Sequence, residues 1–184
     1  MTEPIQAIYA VWGVWAASWF VAAIWSRRTE ARPAVFRSLS YYFFVFVGAG
    51  LLFSSPPSAV TWDMSLAYQR LLLGLVIAGF AFAWWARIHL GTLWSGTVTK
   101  KAGHHVVDTG PYRLVRHPIY TGIILSAFAT AAAKETPVAF AGAGIMAFGW
   151  FLKARLEERF LREQLGADAY GAYAKRVPML VPFL

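Results

Sequence analysis

The chain has 184 residues, 58% hydrophobic and only 14% charged, with a net charge of +8 and a mean hydropathy of +0.49. Soluble domains carry about 25% charged residues, so this composition places the chain among membrane proteins. The absence of cysteine excludes disulfides, thiolate metal sites and cysteine nucleophiles. The four histidines, His89, His104, His105 and His117, form no HExxH-type ligand pair, so no metal is expected.

Five apolar stretches follow one another: Ile5 to Trp25, Leu39 to Ser55, Leu66 to Ala86, Ile119 to Ala133 and Val138 to Leu152. A hydrocarbon core of ~30 Å takes roughly 20 helical residues, which the first and third supply. The last two are shorter, and only Lys134-Glu135-Thr136-Pro137 separates them, which predicts a tight helical hairpin extended by flanking residues. Met1-Thr2-Glu3-Pro4 lacks the cationic start of a signal peptide, so the first stretch is expected to be a retained helix. The predicted fold is an all-α, multi-pass integral membrane protein of about five helices. Its single domain, 1–184, divides into an anchor over 1–86 and a site-bearing half over 87–184.

The cations give the orientation. Arg27, Arg28, Arg32 and Arg37 lie between the first and second stretches; Arg87, Lys100, Lys101, Arg113 and Arg116 lie between the third and fourth. Lys153, Arg155, Arg159, Arg162, Lys175 and Arg176 follow the fifth, while the opposite side holds Lys134 with Arg70 close to it. The N-terminus is therefore expected outside and the C-terminus in the cytoplasm. Loop cations of this kind call for no nucleic-acid partner. The excess of arginine over lysine and the abundant alanine suit a GC-rich bacterium, hence a bacterial inner membrane.

The loop from Leu90 to His117 is long for such a protein, and long ordered loops are more often functional. It runs into Arg116-His117-Pro118-Ile119-Tyr120-Thr121-Gly122. Proline favours the first helical turn and pushes the residue before it toward extended backbone, so the fourth helix should start at Pro118. A helix start offers free N–H groups and a positive dipole end to an anion, and Arg116 adds a full charge beside it. A plain positive-inside anchor with a helix-starting proline accounts equally well for Arg116 alone. His117 and Tyr120 read equally well as interfacial residues. Tyr112, Arg116, His117, Tyr120 and Gly122 falling so close together argues for a site.

A second polar cluster, Lys153 to Glu163, should continue the fifth helix into the cytoplasm. Glu158 can pair with Arg162 at the favourable i,i+4 spacing, which leaves Glu157 as the freer carboxylate. An anion site beside a spare carboxylate suits a zwitterionic ligand, polar nucleotides included.

The run Gly110-Pro111-Tyr112-Arg113 through Arg116-His117-Pro118-Ile119-Tyr120-Thr121-Gly122, the pair Glu157-Glu158 and the tail Gly166 to Pro182 resemble the isoprenylcysteine carboxyl methyltransferase family over roughly residues 88–184. The resemblance implies a methyltransferase that holds S-adenosylmethionine (SAM) in a cytoplasm-facing pocket and releases S-adenosylhomocysteine. It implies cofactor contacts at His104, His105, Val106, Val107, Tyr112, His117, Pro118, Ile119 and Tyr120 and at a glutamate that falls on Glu157 or Glu158, with Glu157 favoured because Glu158 can pair with Arg162; it also implies catalytic roles for Arg116 and Glu158, and a substrate contact at Lys153 or Arg155. The implied partner is a lipophilic or prenylated substrate entering sideways from the bilayer lipids.

An ionised carboxylate would need no general base for in-line displacement at the sulfonium, whereas a phenol or amine would need deprotonation. The acceptor atom stays open among O, N and S; phospholipid amines and lipid phenols are alternatives. From another class, NADPH-dependent membrane sterol or enone reductases share a similar C-terminal half. The orientation predicts that single cysteines at Ser58 and Lys100 are labelled from opposite sides of sealed vesicles; labelling from one side would overturn it.

Overall fold

The computed structural model describes residues 3–24, 29–31, 35–54, 62, 64–94, 100–101, 106–165 and 167–182. Six α-helices carry the fold: α1 (Glu3–Ala23), α2 (Val35–Ser54), α3 (Leu66–Leu90), α4 (Pro118–Lys134), α5 (Pro137–Leu165) and α6 (Ala167–Arg176). A short antiparallel pair, β1 (Thr29–Ala31) with β2 (Lys100–Lys101), joins the α1–α2 and α3–α4 connections at one end of the bundle. That end also carries the start of α4 and is called the basic end below.

Among the described residues, three segments are long and apolar enough to cross a membrane: Glu3–Ala22, Leu66–Leu93 and Pro137–Glu163. The apolar part of α2, Leu39–Ser54, is shorter, and α4 has 17 residues. Large apolar side chains such as Val14, Phe20, Phe43, Phe46, Leu71 and Phe148 face outward, as helices bathed in lipid require. The expected hairpin forms: α4 ends at Lys134, Glu135 takes a left-handed cap (φ 59°), and Pro137 opens α5. The helix α5 runs without a break past Leu152 to Leu165. The helix α3 likewise outruns its apolar stretch, so Arg87 belongs to its buried last turn and not to a solvated loop.

Lipid offers helices no hydrophobic drive to associate, so close backbone packing at small residues does that work. Gly79 of α3 and Gly122 of α4 meet so closely that a Cβ on Gly122 would lie 2.2 Å from the Gly79 carbonyl oxygen. Ser126 strengthens this contact by donating to the carbonyls of Val76 (3.1 Å) and Gly122 (2.9 Å). Gly48 of α2 and Gly142 of α5 form an equivalent contact, in which a Cβ on Gly48 would sit 2.3 Å from the Met146 nitrogen.

The helix α1 is held on the α3 side. The Trp12 indole donates to Thr130 Oγ1 (2.9 Å), Trp84 donates to Ser18 Oγ (3.1 Å), and Arg87 Nη2 donates to the Ala22 carbonyl (2.7 Å). At the end opposite the basic one, Glu135 Oε1 accepts from Gln69 Nε2 (3.1 Å) and the Met64 amide (3.0 Å), tying the hairpin to the start of α3.

Gly122→Ala should lower stability by about 1–3 kcal/mol, because neither backbone can give way. Gly13→Ala, facing open space, should leave it unchanged or slightly raised. Thermal denaturation in one detergent compares the two; equal melting temperatures would mean that the glycine contact is not tight.

Candidate active site

The start of α4 is shaped by its neighbours in the C-terminal segment. The Arg116 amide donates to the Pro178 carbonyl (2.8 Å), and the His117 amide donates to the Met179 carbonyl (3.1 Å). Thr121 Oγ1 donates to the Leu180 carbonyl (2.6 Å). The backbone before Pro118 is held off helical geometry (His117 φ −124°, ψ 62°) and finds partners in the tail, and α4 begins at Pro118.

Arg116 is the brace. Its Nε donates to Glu158 Oε1 (2.6 Å), and its Nη1 donates to the carbonyls of Ala174 (2.8 Å) and Val177 (2.5 Å). Both side chains are largely buried, 10% and 4% exposed. Glu158 also meets His117 Nε2 (3.3 Å) and, through its other oxygen, the more exposed Arg162 (3.4 Å). The i,i+4 pair read from the sequence is present, but the shorter contact is to Arg116.

Glu157, one residue back, points elsewhere. The Tyr120 hydroxyl donates to its Oε2 (2.7 Å), His117 Nδ1 lies 3.6 Å away, and a quarter of the side chain is exposed. Tyr120 stacks between His117 (5.4 Å) and Trp150 (4.9 Å). The buried Lys153 ammonium lies over the rings of Tyr41, Tyr120 and Trp150 at 5.6, 5.2 and 5.2 Å.

These groups border a cavity of about 460 Å³, within the range of small-molecule sites. Its polar end holds Tyr112, Arg116, His117, Tyr120, Lys153 and Glu157. Its far wall is aromatic and apolar, from Trp15 and Trp19 on α1 to Phe46 on α2 and Trp150 on α5. Tyr112 is fixed by the Tyr173 hydroxyl, which donates to its carbonyl (2.7 Å), and by stacking on His89. Gly110 precedes it with φ +56°, and the His89 ring fills the space a Cβ would need. Burial, reinforced by the Glu157 carboxylate, pushes the Tyr112 phenol far above its ordinary range. Burial does the same for Tyr170 and Tyr173, so all three stay neutral at physiological pH.

The structure gathers most of the residues singled out in the sequence. Val106, Val107, Tyr112, Arg116, His117, Pro118, Ile119, Tyr120, Lys153 and Glu157 all line the cavity. His104 and His105 lie outside the described residues. Glu158 is not part of the lining; it holds Arg116 in place. Of the two candidate substrate cations, Lys153 faces the cavity, while Arg155 is exposed beside Phe151. The lining also draws on α1 and α2, which the sequence presented only as membrane anchors. One signal was available there: Trp12, Trp15 and Trp19 recur at helical spacing. Trp150, Lys153 and Glu157 repeat that spacing on α5.

Fold and cavity define a helical membrane protein with a cavity set into one end of its bundle. Residues 72–163 match the model of the isoprenylcysteine carboxyl methyltransferase (ICMT) family, half of this chain, and the chain belongs to that family. It is 28% identical over 88 residues to protein-S-isoprenylcysteine O-methyltransferase B of Arabidopsis thaliana, covering 47% of this chain and 44% of that protein. It is 31% identical over 142 residues to the cobalt-zinc-cadmium resistance protein CzcN of Cupriavidus metallidurans, covering 76% and 60%. With methanethiol S-methyltransferase 2 of Bradyrhizobium diazoefficiens it shares 42% identity over 74 residues, 40% of this chain and 27% of the relative. The chain spans about half the length of its plant relatives.

Breaking the Arg116–Glu158 pair strands a buried charge, which costs about 3–5 kcal/mol. Arg116→Ala and Glu158→Gln should therefore both lower thermal stability strongly, and Glu157→Gln should lower it little. Equal losses across the three variants in a detergent melt would contradict the brace.

Proposed function

We propose that this chain is a SAM-dependent methyltransferase acting on a lipophilic acceptor, with O-methylation of a carboxylate as the reaction. The observation that carries the reading is one cavity joining a carboxylate-bearing polar end to apolar walls drawn from membrane-length helices. Family membership supports the chemistry.

The residues present fit the cofactor. SAM carries a carboxylate, an ammonium, a sulfonium and ribose hydroxyls; Arg116 and the N-terminus of α4, at the polar end, would meet the carboxylate. The polar end offers the Glu157 carboxylate to a cation, with neutral phenols and aromatic faces around it. Glu157, Tyr112, His117, Pro118, Ile119, Tyr120, Val106 and Val107 would hold it. When bound it supplies an electrophilic methyl group.

Along α5, Glu157, Lys153 and Trp150 share one face, so charge changes sign and then disappears with depth. Lys153 favours a negatively charged acceptor, and an ionised carboxylate needs no base. Among the described residues, the buried Trp150 indole N–H has no hydrogen-bond partner, which leaves it available to an acceptor oxygen. Tyr120 fixes Glu157, and the aromatic walls keep out water, which strengthens each electrostatic contact. A thiol acceptor is the second reading: two relatives are named methanethiol S-methyltransferases, and a nearby ammonium lowers a thiol's pKa.

SAM and S-adenosylhomocysteine should raise the melting temperature in detergent, and NADPH should not; the opposite pattern would favour a membrane reductase. Glu157→Gln should weaken SAM binding by about 10- to 150-fold, the value of a charged hydrogen bond, and Glu158→Gln by less. Calorimetry on the folded variants gives the order; the reverse would move the cofactor carboxylate to Glu158.

A further inference from the structure

The helix α5 has two faces, and the cavity uses one of them. Trp150, Lys153, Glu157 and Leu161 line the cavity. On the far side of the same helix, Phe148, Phe151, Arg155, Arg159 and Arg162 are all exposed, and none of them belongs to the cavity lining. At about 100° per residue these five fall within an arc of about 80°, roughly opposite the cavity-lining residues.

The chemistry of this outer stripe changes abruptly along its length. Up to Phe151 it is apolar. Phe148 stacks on Phe151 (6.4 Å) and meets Phe44 of α2 edge-on (5.0 Å), yet the two α5 phenylalanines remain 47% and 38% exposed. From Arg155 onward the stripe is cationic. Arg162 is engaged, reaching Glu158 Oε2 (3.4 Å) and lying over the Tyr170 ring (5.7 Å). Arg155 lies 6.0 Å over the Phe151 ring. Among the described residues, neither Arg155 nor Arg159 forms an ion pair, although Glu163 stands four residues beyond Arg159.

Like charges at i,i+4 repel, so the pairing of Arg155 with Arg159 is unfavourable for the helix alone. An anion between the two guanidiniums reverses the sign. Depth indicates which anion. At 1.5 Å per residue, Arg155 and Arg159 lie about 6 and 12 Å beyond Phe151 along the axis. The headgroup layer on each side of a bilayer's hydrocarbon is roughly 5–8 Å thick. With Phe151 at the hydrocarbon edge, two long side chains that can lean toward the interface bracket that layer.

We infer that this stripe of α5 binds one anionic phospholipid of the leaflet nearest the basic end. Its phosphate lies between Arg155 and Arg159, and an acyl chain runs along Phe151 and Phe148. Arginine suits the role, because its planar fork grips a phosphate in two places. A free phosphate lacks the chain contact, and a zwitterionic lipid brings its own cation to the arginines. Arg155, kept from the cavity by its place on the helix, finds its ligand here. No cavity residue takes part, so the lipid site stands whether or not the methyltransferase reading does.

Native mass spectrometry of the full chain in an uncharged detergent measures the first bound lipid. Phosphatidylglycerol and phosphatidylcholine with the same acyl chains are titrated separately, and glycerol phosphate is added as a competitor. A cation near an anionic lipid surface contributes about 5-fold to binding. Phosphatidylglycerol should therefore bind about 5- to 25-fold better than phosphatidylcholine, for one or both arginines engaged, and glycerol phosphate should not displace it. Replacing both cations, Arg155→Gln with Arg159→Gln, should bring the two lipids level. Arg113→Gln removes another exposed cation that lies off the stripe and should leave the preference unchanged. A lipid-free melt of the double variant should be no lower than that of the parent, because like-charge repulsion is relieved. The comparison of two lipids on the parent needs no variant and decides the case even if the double variant melts lower. Equal retention of the two lipids by the parent overturns the site. So does a folded double variant that keeps the preference, or an equal loss in Arg113→Gln. Displacement by glycerol phosphate also overturns it, leaving a site for soluble phosphate and not for lipid.

Discussion

The Arg116–Glu158 ion pair is the contact on which the site depends. It joins the segment just before α4 to the C-terminal third of α5, and the same guanidinium reaches the carbonyls of Ala174 and Val177 at the end of α6. Three separate pieces of chain are fixed relative to one another by one side chain. A buried charge pair is a poor source of net stability, but it is a strong device for specifying one arrangement over others. Here the arrangement turns Glu157, and not Glu158, toward the cavity. Adjacent carboxylates on one helix must diverge by about 100°, so committing one of them to the brace frees the other for a ligand.

A second constraint acts in the membrane. The α2–α5 and α3–α4 pairs are welded by glycines, while α1 is fastened to α3 and α4 by indole and guanidinium hydrogen bonds. Strong pairing within each unit leaves the boundary between α1 and α2 as the weakly knit line of the bundle. Lipid exerts no hydrophobic pressure to close such a line. An internal cavity with a polar end thus follows from how packing was distributed among these helix pairs.

Much of this was legible in the sequence. Apolar stretches gave the helices, Pro118 gave the start of α4 to the residue, and the turn at Lys134-Glu135-Thr136-Pro137 gave the hairpin. The difference between Glu157 and Glu158 was also readable, from helical spacing alone. What escaped was everything that needed three dimensions. Spacing named Arg162 as the partner of Glu158, yet the closer partner is Arg116, forty-two positions away. Arg87 looked like a loop cation because the apolar run stops before it; in fact its guanidinium is buried against the Ala22 carbonyl and the Trp94 ring. The contributions of α1 and α2 were hidden for a similar reason. A tryptophan that faces a cavity and one that faces lipid satisfy the same hydropathy, and only the partner helix tells them apart.

The uninterrupted run of α5 has a consequence for how this sequence can vary. Trp150, Lys153 and Glu157 lie on one stretch of rigid helix, so the depth from polar contact to apolar wall is set by about 1.5 Å per residue, some 10 Å in all. No side chain can adjust that depth. A single inserted residue between Trp150 and Glu157 would swing everything beyond it by about 100°, moving Glu157 into the place of Glu158 against Arg116 and leaving the cavity without its carboxylate. This segment can change its letters, but its length is fixed.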